Sequence, residues 1–174
     1  DLQNKLTERD TQLNELLGSH GYIPLHSEVG PEDISLEVYP DSHGRYRRIT
    51  EGMPRSVLMA ACRVAGTHVH IGMPDHDTAL HVYNNLIRHF NDLCEMGNGS
   101  FGERLRIYKE MAPKYLPVRY SDWNQFYQVA LQDNFAKDPR RCWTLIRISP
   151  HGTIDFRMFG ATHSIERITK WAEY

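Results

Sequence analysis

The sequence predicts an α+β domain in which amphipathic helices accompany a few strands. Three patterns indicate this class: several segments repeat apolar residues every three or four positions, a histidine-containing segment alternates apolar and polar residues, and a later segment resembles a β-hairpin. The chain has 174 residues, which is the usual length of one domain with a sizeable core. We therefore expect residues 1–174 to form a single domain.

The first predicted helix is amphipathic and ends at Gly18. Five leucines lie at helical spacing before that glycine, namely Leu2, Leu6, Leu13, Leu16 and Leu17. Residues 19–41 are rich in glycine and proline and have little periodicity, which predicts a long loop with at most a short strand from Ile34 to Tyr39.

Further helices are predicted on both sides of the strand segments. One runs from near Thr50 or Pro54 to Arg63, and the next is capped by Asp75 and continues through Leu93. Three more are expected: one over 103–111, one capped by Ser121 and one capped by Ser164.

The composition gives the chain no strong overall charge. Charged residues make up 24% of the sequence and the formal net charge is −2, so no global positive field favours nucleic acid or an anionic membrane. No apolar run approaches the ~18 residues of a membrane span. Three cysteines without a paired spacing favour reduced thiols, and we expect a cytoplasmic protein without nucleic-acid or membrane partners.

A short strand with two histidines is the first candidate for a functional site. Strand side chains point alternately to opposite faces, so Val69 and Ile71 can enter a core while His68 and His70 share the other face. Two imidazoles on one face can meet one metal ion or neighbouring phosphates. The alternative is a pair of partly buried histidines satisfied by hydrogen bonds, and this segment alone favours neither.

The predicted hairpin carries a second set of polar groups. Its strands cover residues 143–148 and 153–159, with turn residues between them. Asp155 and Arg157 share one exposed or cleft-lining face, and Arg147 can approach them across the hairpin. Taken alone, this pattern favours an ordinary cross-strand ion pair worth roughly 0.2 to 1 kcal/mol.

Together, the two segments predict metal ligands beside anion-binding groups. Two imidazoles, one carboxylate and two guanidinium groups project from strands whose other faces are apolar. Arginine matches carboxylate and phosphate groups, whereas Mg²⁺ prefers oxygen ligands and needs further carboxylates beside one aspartate and one histidine. Such a face suits an ATP-dependent reaction in which the charge of the phosphates is neutralised.

Four segments also resemble one known family in their order and spacing. Residues 62–75, which read CRVAGTHVHIGMPD, resemble the CGxHVHVGxPD signature of the bacterial glutamate–cysteine ligase type 2 family, also called carboxylate–amine ligases. Upstream, residues 40–46 resemble that family's P-D-x-RY segment. Downstream, residues 143–150 and 152–157 are similar to its W-D-x-R-P-S-P and GT-x-E-x-R pair. The resemblance covers about residues 36–174.

The resemblance implies the fold of glutamine synthetase and the guanidino kinases, an antiparallel sheet with helices on one face and the active site on the other. It also implies an ATP- and Mg²⁺-dependent ligase, with Mn²⁺ as an alternative metal. This ligase would join the γ-carboxylate of glutamate to an amine such as that of cysteine, through an acyl phosphate. Small-molecule substrates and assembly into a homo-oligomer are the expected partners.

The same resemblance assigns roles to six residues. It makes His68 and Asp155 metal ligands, His70 and Arg45 ATP-binding residues, and Arg157 and Arg147 catalytic residues that contact phosphate or the substrate carboxylate.

Two departures from the family pattern bear on these expectations. Asp155 stands where the family usually has glutamate, which is one methylene longer. The family also begins with a strand carrying G-x-E-x-E, whose glutamates are its principal metal ligands, and residues 1–174 contain no such segment. We therefore expect either an N-terminally incomplete ligase-like domain or a divergent member. The alternatives are a non-catalytic nucleotide- or metabolite-binding member of the same fold and, from the H-x-H strand alone, a metal-dependent hydrolase.

Overall fold

The computed structural model describes all 174 residues and contains eight α-helices and three β-strands. In chain order, these elements are α1 (Leu2–Ser19), α2 (Arg45–Thr50), α3 (Arg55–Arg63), β1 (Val69–Gly72), α4 (His76–Leu86), α5 (Phe90–Met96), α6 (Glu103–Met111), α7 (Trp123–Gln132), β2 (Ile146–Ile148), β3 (Thr153–Phe156) and α8 (Ile165–Glu173). Single 3₁₀ turns cover Ile87–His89 and Pro139–Arg141. None of the helices combines the length and apolarity that a membrane crossing requires.

The three strands form one antiparallel sheet in the order β1-β3-β2. In the central strand, Phe156 lies opposite Val69 of β1 and Ile146 of β2. These three residues therefore make one apolar row across the sheet, and the next row on that face consists of Ile71, Ile154 and Ile148. The predicted β-hairpin and the α+β class are both confirmed.

The hairpin strands are shorter than predicted, because side chains of α6 donate hydrogen bonds to backbone carbonyls beyond the strand ends. The carbonyl of Trp143 accepts a hydrogen bond from the Tyr108 hydroxyl at 2.8 Å. The carbonyls of Arg157 and Met158 accept from the guanidinium of Arg104 at 3.1 and 2.9 Å. One further backbone bond joins the strands, from the Arg157 amide to the Leu145 carbonyl at 2.8 Å, and beyond it side chains of α6 bind the carbonyls where the sequence alone predicts longer strands.

The helices cover the apolar face of the sheet. Tyr83 of α4, Leu93 of α5, Tyr108 of α6 and Trp171 of α8 belong to one buried cluster with the apolar strand residues. Trp171 stacks on Phe159 with ring centroids 4.7 Å apart. The helix layer leaves the polar residues of the strands on the opposite face, which is the face that carries the candidate site.

The region before the sheet differs from its prediction in two ways. No strand forms over residues 34–39, where Val38 and Tyr39 are exposed and the Glu37 amide bonds to the Ser35 hydroxyl instead. The short helix α2 was not predicted, and its first amides are held by the carboxylate of Asp41. A strand needs a neighbour to pair with, and this segment has none.

Two helix boundaries also differ from the sequence prediction. The cap of α7 is Asp122 rather than Ser121, and its carboxylate accepts from the Gln125 amide at 2.8 Å. The long helix predicted after Asp75 is divided into α4 and α5 by the 3₁₀ turn. The Asp75 cap itself is confirmed, with the Thr78 amide 2.7 Å from Asp75 Oδ1.

Candidate functional site

Three of the predicted site residues form one row across the polar face of the sheet. Asp155 lies in the central strand, directly opposite His70 of β1 and Arg147 of β2. The Nδ1 atom of His70 is 2.7 Å from Asp155 Oδ1, and the Nε atom of Arg147 is 3.0 Å from Asp155 Oδ2. The register of the strands therefore places an imidazole and a guanidinium on either side of one carboxylate.

The Asp155 carboxylate is enclosed rather than exposed, contrary to the prediction of an exposed or cleft-lining face. Thr153, two residues earlier in the same strand, donates its hydroxyl to Asp155 Oδ1 at 2.6 Å. With His70 and Arg147 on the other sides, only 1% of the Asp155 residue remains exposed. The carboxylate is thus a buried charge with three donors, and no ion pair joins it to Arg157.

Two arginines converge beside this row. The Nη1 atoms of Arg147 and Arg157 lie 3.0 and 3.1 Å from the same acceptor, the backbone carbonyl of Cys142. Arg157 also lies over the ring of Trp143, with its Cζ atom 5.1 Å from the ring centroid. Its Nε atom is buried without an acceptor, so this guanidinium keeps donor capacity that the protein does not use.

His68 lies on the same side of the sheet as His70, and their ring centroids are 6.2 Å apart. Desolvation lowers the pKa of His68 to about 4, and the positive charge of Arg157 acts in the same direction. Burial likewise lowers the pKa of the Arg157 guanidinium, with the nearby Arg147 adding to the effect. Two guanidinium groups, Arg147 and Arg157, stand against the single carboxylate of Asp155 on this face, and this excess of positive charge favours an anion.

The residues present do not form a site for a divalent cation. No three side chains of His, Cys, Asp or Glu come together in residues 1–174 in a way that could hold a metal ion. The Asp155 oxygens are already taken by three donors, and the two arginines oppose a second positive charge. Mg²⁺ prefers carboxylate oxygens and water, so one histidine and one carboxylate whose oxygens already accept from three donors do not make a site for it as arranged here.

Arg45, the sixth predicted site residue, lies apart from the other five. Its backbone amide is held by Asp41 at the start of α2, and its side chain lies over Tyr46. The pKa of Asp138 is lowered mainly by its hydrogen bond with Arg140, and the charge of Arg45 contributes to that shift. Arg45 has no hydrogen bond with the row.

Arg104 is the main residue near the site that the sequence did not identify. It is 3% exposed and donates to three backbone carbonyls, including that of Ala65 at 2.6 Å just before the histidine strand. Burial lowers the pKa of Arg104. The only sequence signal was an arginine in the first turn of a short helix, and nothing local distinguishes it from the exposed Arg106 two residues later.

An antiparallel sheet has helices on one face and, on the other, a row of His70, Asp155 and Arg147 with Arg157 beside it; this defines an α+β protein with a candidate anion site. Comparison with curated proteins shows which known sequences this chain is similar to. A protein of Gloeobacter violaceus with the name "Putative glutamate--cysteine ligase 2" is 27% identical over 164 residues, which cover 81% of this chain and 44% of the relative. The "Glutamate--cysteine ligase" of Haloferax volcanii is 25% identical over 174 residues, covering 90% of this chain and 47% of the relative.

A second protein with the name "Putative glutamate--cysteine ligase 2", from Solibacter usitatus, is 27% identical over 136 residues, which cover 70% of this chain and 34% of the relative. The chain thus spans less than half the length of these relatives. No family model and no solved structure matches it. The resemblance to the glutamate–cysteine ligase type 2 family is confirmed, and the chain is related to that family over most of its length.

Proposed function

We propose that this chain contributes to an ATP-dependent carboxylate–amine ligase of the glutamate–cysteine type. One observation carries the proposal: Arg147 and Arg157 both donate to the backbone carbonyl of Cys142, and Arg147 also binds Asp155, the partner of His70, on the polar face of the sheet. Two guanidinium groups directed at one oxygen are suited to neutralise a carboxylate or phosphate. The names of the relatives supply the reaction class.

In the proposed reaction, a glutamate γ-carboxylate oxygen attacks the γ-phosphorus of ATP, and ADP leaves. The amine nitrogen then attacks the acyl carbon, loses a proton and expels phosphate. The protein would act by positioning and charge neutralisation, without a covalent enzyme intermediate. In this scheme Arg157 and Arg147 contact the transferred phosphoryl group or the substrate carboxylate, while His70 and Arg45 contact ATP.

The divalent cation that usually accompanies ATP remains a prediction of the family resemblance. His68 and Asp155, the ligands assigned from the sequence, do not make a site for it as they are arranged here. The proposal therefore assigns Mg²⁺ or Mn²⁺ no residue of this chain and no step in the reaction.

The test is ADP release by the purified protein in the presence of ATP, glutamate and a panel of amines. We expect release that depends on both glutamate and an amine. Arg157→Met should lower kcat/KM on the order of 100-fold, because it removes one of the two converging guanidinium groups. Arg140→Met is the matched control, since Arg140 is exposed and pairs only with Asp138. Absence of ADP release with every amine would reject the ligase.

A second candidate is a non-catalytic nucleotide- or metabolite-binding protein. The observation that favours it is Asp155, which is shorter than the usual glutamate and is enclosed by three donors. Calorimetry separates the two candidates, because a binding protein would bind ATP and release no ADP. The third reading, a metal-dependent hydrolase, gains no support, since no group of three candidate ligands forms.

A further inference from the structure

The role of Asp155 can be inferred from its surroundings. From the hydrogen bonds of Asp155 with His70, Thr153 and Arg147, we infer that Asp155 is a positioning residue and does not ligate a metal ion. As a positioning residue, it fixes the His70 ring so that Nε2 is the open nitrogen. The positioning role rests on the proposed function and deepens it, because the open Nε2 of His70 would contact a ligand at the proposed site. The absence of metal ligation by Asp155 does not depend on the proposed function.

The lone pairs of the carboxylate show why a metal ion finds little room. An ionised aspartate has about four acceptor positions, two on each oxygen. Oδ1 accepts from His70 Nδ1 at 2.7 Å and from the Thr153 hydroxyl at 2.6 Å, and Oδ2 accepts from Arg147 Nε at 3.0 Å. The one remaining position lies on Oδ2 beside Arg147, and with 1% of the residue exposed an incoming cation would have to approach that guanidinium.

The register of the sheet explains how a short side chain reaches all these donors. His70 and Arg147 are the direct cross-strand neighbours of Asp155, where β-carbons lie about 4.5 to 5.5 Å apart. A carboxylate one bond beyond the β-carbon remains between such neighbours. A glutamate carboxylate would lie one methylene further from the strand backbone. The aspartate therefore suits a link across three strands.

The contact with Asp155 also determines which nitrogen of His70 is open. An ionised carboxylate can only accept, so His70 Nδ1 must carry the hydrogen of this bond. The side chain of His70 is 46% exposed, and Nε2 has no protein partner. In the neutral ring, Nε2 is therefore unprotonated and accessible.

The test measures the tautomer of His70 by ¹⁵N NMR in the 174-residue chain, under conditions in which the ring is neutral. We expect a single tautomer with the hydrogen on Nδ1 in the wild type. Asp155→Asn should give a mixture of tautomers, because the amide can donate as well as accept. Asp138→Asn is the control, since it removes a partly exposed carboxylate paired with Arg140, and should leave the His70 signals unchanged.

A second measurement uses Mn²⁺ alone as a paramagnetic probe. We expect no selective broadening of the Asp155 signals in the wild type, and equal Mn²⁺ affinities for Asp155→Asn and Asp138→Asn. A wild-type ring with its hydrogen on Nε2 would overturn the positioning role. Selective broadening at Asp155, or a tenfold loss of Mn²⁺ affinity in Asp155→Asn alone, would show that Asp155 ligates the metal ion.

Both wild-type measurements remain decisive if Asp155→Asn does not fold. Neither depends on turnover, so failure of the ligase proposal would appear as absent ADP release while the tautomer and Mn²⁺ results stand. Conversely, an active ligase whose His70 ring has the other tautomer would reject only the inference.

Discussion

At the scale of single residues, the pairing of Asp155 with Arg147 is the most consequential contact. The sequence favoured an ordinary exposed ion pair, whereas the structure encloses the carboxylate and leaves the Arg147 side chain 19% exposed. A buried charge that loses its partner keeps its full desolvation cost. The same residue types therefore contribute far more here than they would at the surface.

Replacing Arg147 should consequently destabilise the fold. We expect Arg147→Ala to lower the free energy of unfolding by about 2–4 kcal/mol. The decrease is smaller than for a buried carboxylate without any donor, because His70 and Thr153 still donate to Asp155. Arg140→Ala should cost less than about 1 kcal/mol, since its pair with Asp138 is solvent-exposed. Urea denaturation measures both, and equal losses would show that the Asp155 pair is not buried in solution.

His68 gives the fold a pH dependence of predictable sign. In the unfolded chain its pKa is near 6.5, whereas in the folded protein it is lowered to about 4. Between these values the unfolded state binds more protons, so stability falls as the pH decreases from about 6.5 to about 4. His68→Gln should flatten the dependence in this window, as measured by urea denaturation at several pH values. An unchanged slope would contradict the lowered pKa.

At the scale of elements, helix starts are decided by single side chains. Both carboxylate oxygens of Asp75 are used at the start of α4, where they accept from the amide and the hydroxyl of Thr78, each at 2.7 Å. The same arrangement recurs at α7, where Asp122 binds the Gln125 amide. Adjacent Ser121 and Asp122 are both good capping residues, so local sequence could not choose between them.

Loss of the Asp75 cap should weaken α4, which packs against β2 and β3. We expect Asp75→Ala to lower the free energy of unfolding by about 1 kcal/mol. Asp77→Ala is the matched control, because Asp77 lies in the same first turn without acting as the cap, and it should cost less than half as much. Chemical denaturation measures the loss of unfolding free energy in both variants, and a larger loss for Asp77→Ala than for Asp75→Ala would contradict the prediction.

At the scale of the whole molecule, Arg104 joins parts of the chain that are far apart in sequence. From the first turns of α6 it donates to Ala65 before β1 and to Arg157 and Met158 after β3. One buried guanidinium therefore connects the helix layer to both strands that carry His70 and Asp155. Its bonds to neutral carbonyls satisfy groups that would otherwise be buried without partners.

Removing this connection should have a large effect. We expect Arg104→Met to lower the free energy of unfolding by about 3–5 kcal/mol, because three buried carbonyls lose their donor. Arg106→Met, on the same helix, removes only an exposed pair with Glu110 and should change stability by less than about 0.5 kcal/mol. Thermal or urea unfolding of the two variants provides the comparison, and similar midpoints would contradict a structural role for Arg104.

The sequence by itself determined the class of the fold, the positions of most elements and the polar face of the sheet. These follow from local rules: apolar spacing, capping residues, the hairpin turn and the alternation of a strand. The same alternation correctly placed His70, Arg147 and Asp155 on one face, and the segment pattern predicted the similarity to the curated glutamate–cysteine ligases.

Only the tertiary structure decided which of those groups pair and which are buried. The register sets His70 and Arg147 opposite Asp155, and contacts from α6 and from the Cys142 carbonyl enclose the neighbouring groups. These partners are distant in sequence, so no local periodicity encodes their distances. For this reason the sequence could indicate a carboxylate beside arginines, while the folded chain turned that carboxylate into a buried link between three strands.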